Sequence, residues 1–286
     1  MNEKIKLIYI SGIGRSGSTL IDLIISTDPK VFSVGEIYKF NKIKKENIPC
    51  NCGKNFSNCS FWKDFYYSKY KIKNRINLID YIKTINFIFN PFIKKINFRK
   101  KSQNYSLLKK IKEKTSSKYI LDSSKDIARL IELDSNPFIE VYNISIIREA
   151  EEVANSFSSR KNKNKKNYFI SLLKWNFINY IIVKYLKKRD YSKNLVIDYE
   201  EFCKNPKKGI SSIEDFLQIK IPKEYVKKIR SMEHHGLAQN RISQKEKRKK
   251  FEGISLKQYN KKRSTVKKLL EKLLTYPSSK IKEKLK

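Results

Sequence analysis

Eight residues near the N-terminus constrain the fold more than any other part of the chain. Gly12-Ile13-Gly14-Arg15-Ser16-Gly17-Ser18-Thr19 follows the apolar, β-branched run Lys4–Ile10 and precedes a stretch in which Leu20, Leu23 and Ile24 share one face. That order predicts a buried strand, a tight glycine loop and a helix over Gly17–Ser26. Glycines permit the positive φ angles and close backbone approach that let successive N–H groups converge on an anion. The helix N-terminus adds its own free N–H groups and partial positive charge. The other reading of the same residues is a plain Gly/Ser turn. Against the phosphate-loop pattern GxxxxGK[ST], the frame fits from Gly12 to Gly17, but Ser18 stands where the lysine belongs, which disfavours an ordinary nucleoside triphosphatase. A cation is present instead at Arg15, inside the loop.

The rest of the chain repeats the alternation of strand and helix. Val31–Val34 follows a turn at Asp28-Pro29, and Lys118–Leu121, Val141–Ile147 and Leu195–Asp198 read as further strands. Such alternation argues for a parallel sheet covered on both faces. Helical stretches are expected at Ile76–Phe98, interrupted by Pro91, at Tyr105–Thr115 and at Asn167–Lys188. A last helix is expected through Val266, Leu269, Leu270, Leu273 and Leu274, ending before Pro277. The expectation is a single α/β domain over 1–286, with a Cys-containing and helical insert at 37–117 and a basic helical tail at 242–286.

Charge invites a different idea. The 286 residues carry 64 Lys and Arg against 28 Asp and Glu, a net charge of +36, as a nucleic-acid-binding protein would. The tail from 241 to 286 holds 17 of those basic residues, and the rest are spread along the chain. A whole-chain bias says little about one site, so nucleic acid is disfavoured as the main partner, with room left for weak contact with an anionic membrane surface. The apolar run Leu7–Ile10 is too short for a secretory segment, and Phe169–Leu186 is cut by Lys174 and Lys184. A cytoplasmic protein is expected. Oligomeric state carries no signal.

The loop Gly14-Arg15-Ser16-Gly17-Ser18-Thr19-Leu20 resembles the 5′-phosphosulfate loop of the sulfotransferases, whose donor is 3′-phosphoadenosine 5′-phosphosulfate (PAPS). The resemblance implies a P-loop-like three-layer fold: a central, mostly parallel sheet flanked by helices, plus helical inserts. It also assigns roles to residues that are weak signals alone. Arg148, after the strand Val141–Ile147, and Ser156, eight residues later, stand at the spacing with which the family holds the donor's 3′-phosphate. By themselves they would read as a surface ion pair and a helix hydroxyl. Glu36, in Val34-Gly35-Glu36, would otherwise be a capping or surface carboxylate. In the branch that includes the tyrosylprotein sulfotransferases, a Gly-Glu pair at this distance from the loop supplies the general base. With His234 and His235 the only histidines, few other bases are available.

Lys125, in Asp122-Ser123-Ser124-Lys125-Asp126, matches a family lysine near the transferred group, where a cation would stabilise charge on the leaving phosphate. Tyr199, in Leu195-Val196-Ile197-Asp198-Tyr199, matches a tyrosine that can touch the nucleotide, or is simply a packing residue. His234-His235-Gly236-Leu237-Ala238-Gln239-Asn240-Arg241 resembles a late family segment and makes Arg241 a phosphate candidate, although Gln239 stands where glycine is commoner. Taken together, the resemblance implies in-line sulfuryl transfer to an acceptor hydroxyl on a carbohydrate, lipid, tyrosine or small alcohol. Glu36 would act as base, with Arg15, Lys125 and the backbone of Ser16–Thr19 taking up the developing charge, and no metal is expected. The alternatives are a small-molecule kinase on a P-loop-like fold and a basic protein that binds nucleic acid or an anionic membrane. Cys50, Cys52 and Cys59 could bind zinc, but the sequence offers no fourth ligand nearby and places the histidines far off. They read as a structural or acceptor-side loop.

Overall fold

The computed structural model describes residues 3–72, 78–90, 103–158, 165–238 and 241–254, together with positions 274, 280 and 283. Among these residues, five strands form one sheet in the order β2-β3-β1-β4-β5, with every neighbouring pair parallel: β1 (Ile5–Gly12), β2 (Val31–Gly35), β3 (Tyr119–Lys125), β4 (Ile139–Ile147) and β5 (Asn194–Asp198). β1 runs through the middle and is apolar on both sides, as a doubly covered strand must be. Leu7 and Tyr9 join the core on one face, while Ile8 and Ile10 join the core on the other.

Two layers of helix cover those faces. The helix Ser18–Ile25, directly after the glycine loop, buries Leu20, Ile21, Leu23 and Ile24 on one side with Leu217 and Ile229 from near the C-terminus. The helix Ile127–Asp134, after β3, buries Leu130, Ile131 and Leu133 on the opposite side. The chain therefore leaves β1 and its neighbour β3 toward opposite faces, which opens a crevice at the carboxyl ends of these strands, the usual ligand site of such sheets. The insert fills out the second layer: Phe40, Phe56, Trp62, Phe65, Leu107 and Ile111 pack into the same core as Leu7 and Tyr9.

Within the described residues, the strands and helices read from sequence are present, with informative shifts. The helix expected at Asn167–Lys188 spans Lys165–Leu186. A helix covers Leu78–Phe89, and the remainder of the expected stretch to Phe98, like most of the C-terminal helix, falls outside the described residues. The largest difference is β3. Its sequence signal stops at Leu121, but the strand continues through Asp122, Ser123 and Ser124 to Lys125. These polar residues are buried because partners wait for them. Arg129 Nε donates to Asp122 Oδ2 at 2.8 Å, while Asp122 Oδ1 accepts from the Ser124 backbone N–H and hydroxyl. Arg129 Nη1 also donates to Asn104 Oδ1 at 2.9 Å, and Asn104 in turn donates to Glu132. No helix among the described residues is long and apolar enough to cross a membrane.

Asp122 and Arg129 are both nearly inaccessible to water, so removing one partner strands a buried charge. Arg129→Met should cost about 3–5 kcal/mol of stability, measured by urea unfolding. A loss below about 1 kcal/mol would show that the pair does not anchor the end of β3.

Candidate functional site

Each strand delivers its site residues at its carboxyl end. β1 ends in the glycine loop, β2 in Gly35-Glu36, β3 in Lys125, β4 just before Arg148, and β5 just before Tyr199. One row of backbone ends thus gathers residues spread over nearly two hundred positions of sequence.

The loop has the backbone of an anion cradle. Gly17 caps the helix Ser18–Ile25 with φ 97°, and no side chain caps that N-terminus, so its first N–H groups point out of the helix without a side-chain acceptor. Arg15 is itself in the left-handed region, at φ 74°. A non-glycine residue held there is uncommon and is characteristic of functional loops. Ser16 Oγ is buried and has no hydrogen-bond partner among the described residues. A buried hydroxyl without a partner is costly unless something else completes it, and an anionic oxygen in the loop would do so.

Tyr199 closes the loop from the side. A Cβ added at Gly17 would lie 2.1 Å from its ring, so glycine is needed here for space as well as for φ. The Arg148 guanidinium stacks over that ring at 4.9 Å and donates through Nη1 to the Arg15 carbonyl oxygen at 3.1 Å. Trp175 Nε1 donates to the Arg148 carbonyl at 2.8 Å. Glu152 and Glu200 lie 3.6 and 3.9 Å from the guanidinium, so Arg148 is held from several sides with its charge beside the loop. Burial pushes the Tyr199 phenol well above its ordinary value, which keeps it neutral. Ser156 lies half-buried on the helix Ala150–Ser158, next to Phe157, over whose ring the Arg15 guanidinium sits at 5.8 Å. Arg241 opens a short 3-10 turn, Arg241–Ser243, and its side chain lies outside the described residues.

Across the crevice, Lys125 Nζ donates to Glu36 Oε1 at 2.6 Å, and the two side chains are only 14% and 13% exposed. Glu36 is held further by its backbone N–H, which donates to Leu237 O at 2.8 Å. That approach needs Gly35: its φ is +68°, and a Cβ there would stand 2.5 Å from Leu237 N. Lys125 is also left-handed, at φ 66°, where the pairing of β1 with β3 slips register. Tyr9 OH fixes the following turn by donating to Asp126 O at 2.7 Å, and Asp126 caps the next helix.

Sequence reasoning missed three members of this neighbourhood. Lys39 Nζ donates to Glu36 Oε2 at 2.6 Å, giving the carboxylate a second ammonium partner. Burial pulls the Lys39 ammonium down, but the Glu36 carboxylate outweighs it and the net shift is upward. Asp22 sits wholly buried on the helix beneath the loop, where burial raises its carboxyl to about 6 against the hydrogen bonds of Ser123, Ser33 and Ser26 and the charge of Lys125. The third is His235. The sequence places the histidines far from the cysteines, whereas the fold brings the His235 ring to Cys50, Cys52 and Cys59. The expectation of a cysteine loop without a fourth ligand is thereby corrected.

No family model matches the sequence, and no curated protein does. Solved structures do match the fold. A sulfotransferase domain from the olefin synthase of Synechococcus PCC 7002 is 14% identical, with 96% of each chain covered and a TM-score of 0.52. A sulfotransferase domain from the curacin biosynthetic pathway is 15% identical over 95% of this chain and 98% of that one, with a TM-score of 0.51. The chain has the α/β fold of these domains.

Asp22 gives the site a measurable pH signature. Its carboxyl binds a proton more tightly folded (about 6) than at its ordinary value of 3.8. Its stabilising contribution is therefore whole below the lower value and lost as pH rises through the upper one. Asp22→Asn removes this dependence. The stability of the variant relative to wild type, followed by urea unfolding at pH 4 and pH 7.5, should rise by on the order of 2–3 kcal/mol between the two. An unchanged difference would place the Asp22 carboxyl in a more polar setting than its burial indicates.

Proposed function

We propose that this protein is a PAPS-dependent sulfotransferase, acting on an acceptor hydroxyl in the crevice at the carboxyl ends of β1, β2 and β3. The observation that carries the reading is the pairing of Glu36 with Lys125 at 2.6 Å, across from an uncapped, glycine-rich helix N-terminus. A base, a cation and an anion cradle on one crevice are the elements that group transfer between two oxygens requires. The fold shared with two sulfotransferase domains supports it.

The residues fit the donor. The N–H groups at the start of Ser18–Ile25, with Ser16 and Thr19, suit its 5′-phosphosulfate, while Arg148 and Ser156 suit its 3′-phosphate and Tyr199 the nucleotide side of the loop. When bound, PAPS supplies an electrophilic sulfur with a phosphate as leaving group. Glu36 accepts the proton of the acceptor hydroxyl as the oxygen attacks. Lys125 and Arg15 neutralise charge that grows on the phosphate side. Positioning and a preset field then carry the catalysis, as in phosphoryl transfer.

The Lys125 ammonium has a double task. In the structure it is spent on Glu36, where it holds the carboxylate in place. Were Lys125 to turn toward a bound donor, Lys39 would remain as the ammonium partner of Glu36. The acceptor would be a hydroxyl compound small or flexible enough to reach Glu36.

Labelled PAPS incubated with the protein and a hydroxyl-rich cell extract should yield a sulfated product. Glu36→Gln should keep donor affinity within about threefold and lower turnover at least about a hundredfold. Full turnover by the variant would remove Glu36 as the base.

A further inference from the structure

Apart from the crevice, the molecule holds a second cluster of chemistry-bearing groups. The sulfurs of Cys50, Cys52 and Cys59 and a ring nitrogen of His235 all lie within 4.8 Å of one another. Cys52 Sγ is 3.7 Å from Cys59 Sγ, and His235 Nδ1 is 3.2 Å from Cys59 Sγ and 3.9 Å from Cys50 Sγ. A zinc ion with bonds of about 2.3 Å to sulfur and about 2.0 Å to nitrogen would give tetrahedral edges of about 3.5–3.8 Å. All four cysteines of the chain are free thiols, and the three in the cluster are buried. We propose that Cys50, Cys52, Cys59 and His235 bind one zinc ion as a closed, structural Cys3His site.

Four further observations favour a metal over thiols that merely pack. First, backbone N–H groups just downstream lie beside each sulfur: that of Cys52 by Cys50, that of Lys54 by Cys52, and those of Phe61 and Trp62 by Cys59. N–H donors aimed at sulfur suit thiolates and orient them. Second, the turn that presents the first two cysteines is closed by backbone bonds, Cys50 N–H to Lys54 O and Gly53 N–H to Cys50 O, each at 2.9 Å. Third, the outer ring nitrogen of His235, Nε2, faces Glu233 Oε1 at 3.7 Å, the carboxylate–histidine arrangement that fixes a metal-binding ring. Fourth, three thiolates and one zinc leave a net negative charge, and a buried cation stands beside them. Arg248, 3% exposed, donates through Nη1 to the carbonyl of Asn51, the residue between two of the ligands.

The position explains what such a site would do. It ties the insert to the segment 233–237 of the C-terminal part. Trp62 Nε1 donates to His235 O at 2.6 Å, Asn51 N–H donates to Gly236 O, and Leu237 O holds the backbone N–H of Glu36. The ion would stiffen the wall that carries Glu36 while standing outside the chemistry. This site stands on its own residues and does not depend on the identity of the donor.

Metal analysis of protein purified without chelator should find about one zinc per chain. Cys59→Ser and His235→Ala should lose most of it, and Cys203→Ser, which alters the cysteine outside the cluster, should keep it. Should the first two variants fail to fold, wild-type protein gives the answer. Cobalt(II) exchanged into it should show the visible absorption of a tetrahedral thiolate complex, and stripping zinc with a chelator should lower the melting temperature, which added zinc but not magnesium restores. Zinc far below one per chain, without a cobalt spectrum and with the three thiols reacting as freely in native protein as after chelation, would overturn the site.

Discussion

The ion pair between Glu36 and Lys125 is the interaction around which the rest of the site is arranged. Two charged side chains, each about seven-eighths buried, are stable only with good geometry and further partners. The fold supplies both. Lys125 is carried to the crevice by a strand extended through a buried polar layer, Asp122 to Ser124, which Arg129 and Asp22 satisfy while Asn104 holds Arg129. Glu36 is carried there by Gly35, whose positive φ and missing Cβ let Leu237 approach from the C-terminal part of the chain.

The opposite wall follows a different logic. There the positive field comes from backbone as much as from side chains: an uncapped helix N-terminus, a left-handed Arg15, and Arg148 pinned between Tyr199 and the loop carbonyl. Among the described residues, most of the basic side chains have no part in this. The chain's excess of +36 can raise the local concentration of an anionic ligand, but on the proposed function recognition would rest on a few side chains whose positions are fixed by neighbours. The charge that dominates the composition is not the charge that makes the site.

How far this was legible in the sequence depended on the range of the interactions. The glycine loop, the apolar strands and the helix Ser18–Ile25 are encoded locally, by φ requirements and apolar spacing, and were read in place. The end of β3 was not, because Asp122, Ser123 and Ser124 look like a turn until Arg129 is known to lie beneath them. Glu36 reads as a residue just beyond a strand and Lys125 as one between a strand and a helix, yet their contact joins positions 89 apart, and Lys39 at the same carboxylate gives no pattern. His235 lies 176 residues from Cys59, with no local motif to link them, so a cluster that reads as three thiols in sequence becomes four ligands in space. Tyr199, which sequence left open between packing and binding, does the packing visibly against Gly17 and Arg148.

The central claim is that the crevice is shaped for a nucleotide carrying a phosphate at each end of its ribose, and titration calorimetry of the unmodified protein tests it most directly. 3′-Phosphoadenosine 5′-phosphate, the desulfated donor, should bind at least about tenfold more tightly than 5′-AMP, a difference of about 1.4 kcal/mol, and magnesium should not be needed. ATP with magnesium should bind more weakly still, since Ser18 stands in place of the loop lysine. Equal affinity for 3′-phosphoadenosine 5′-phosphate and 5′-AMP, or tight binding confined to ATP with magnesium, would contradict the account and favour a kinase on the same fold.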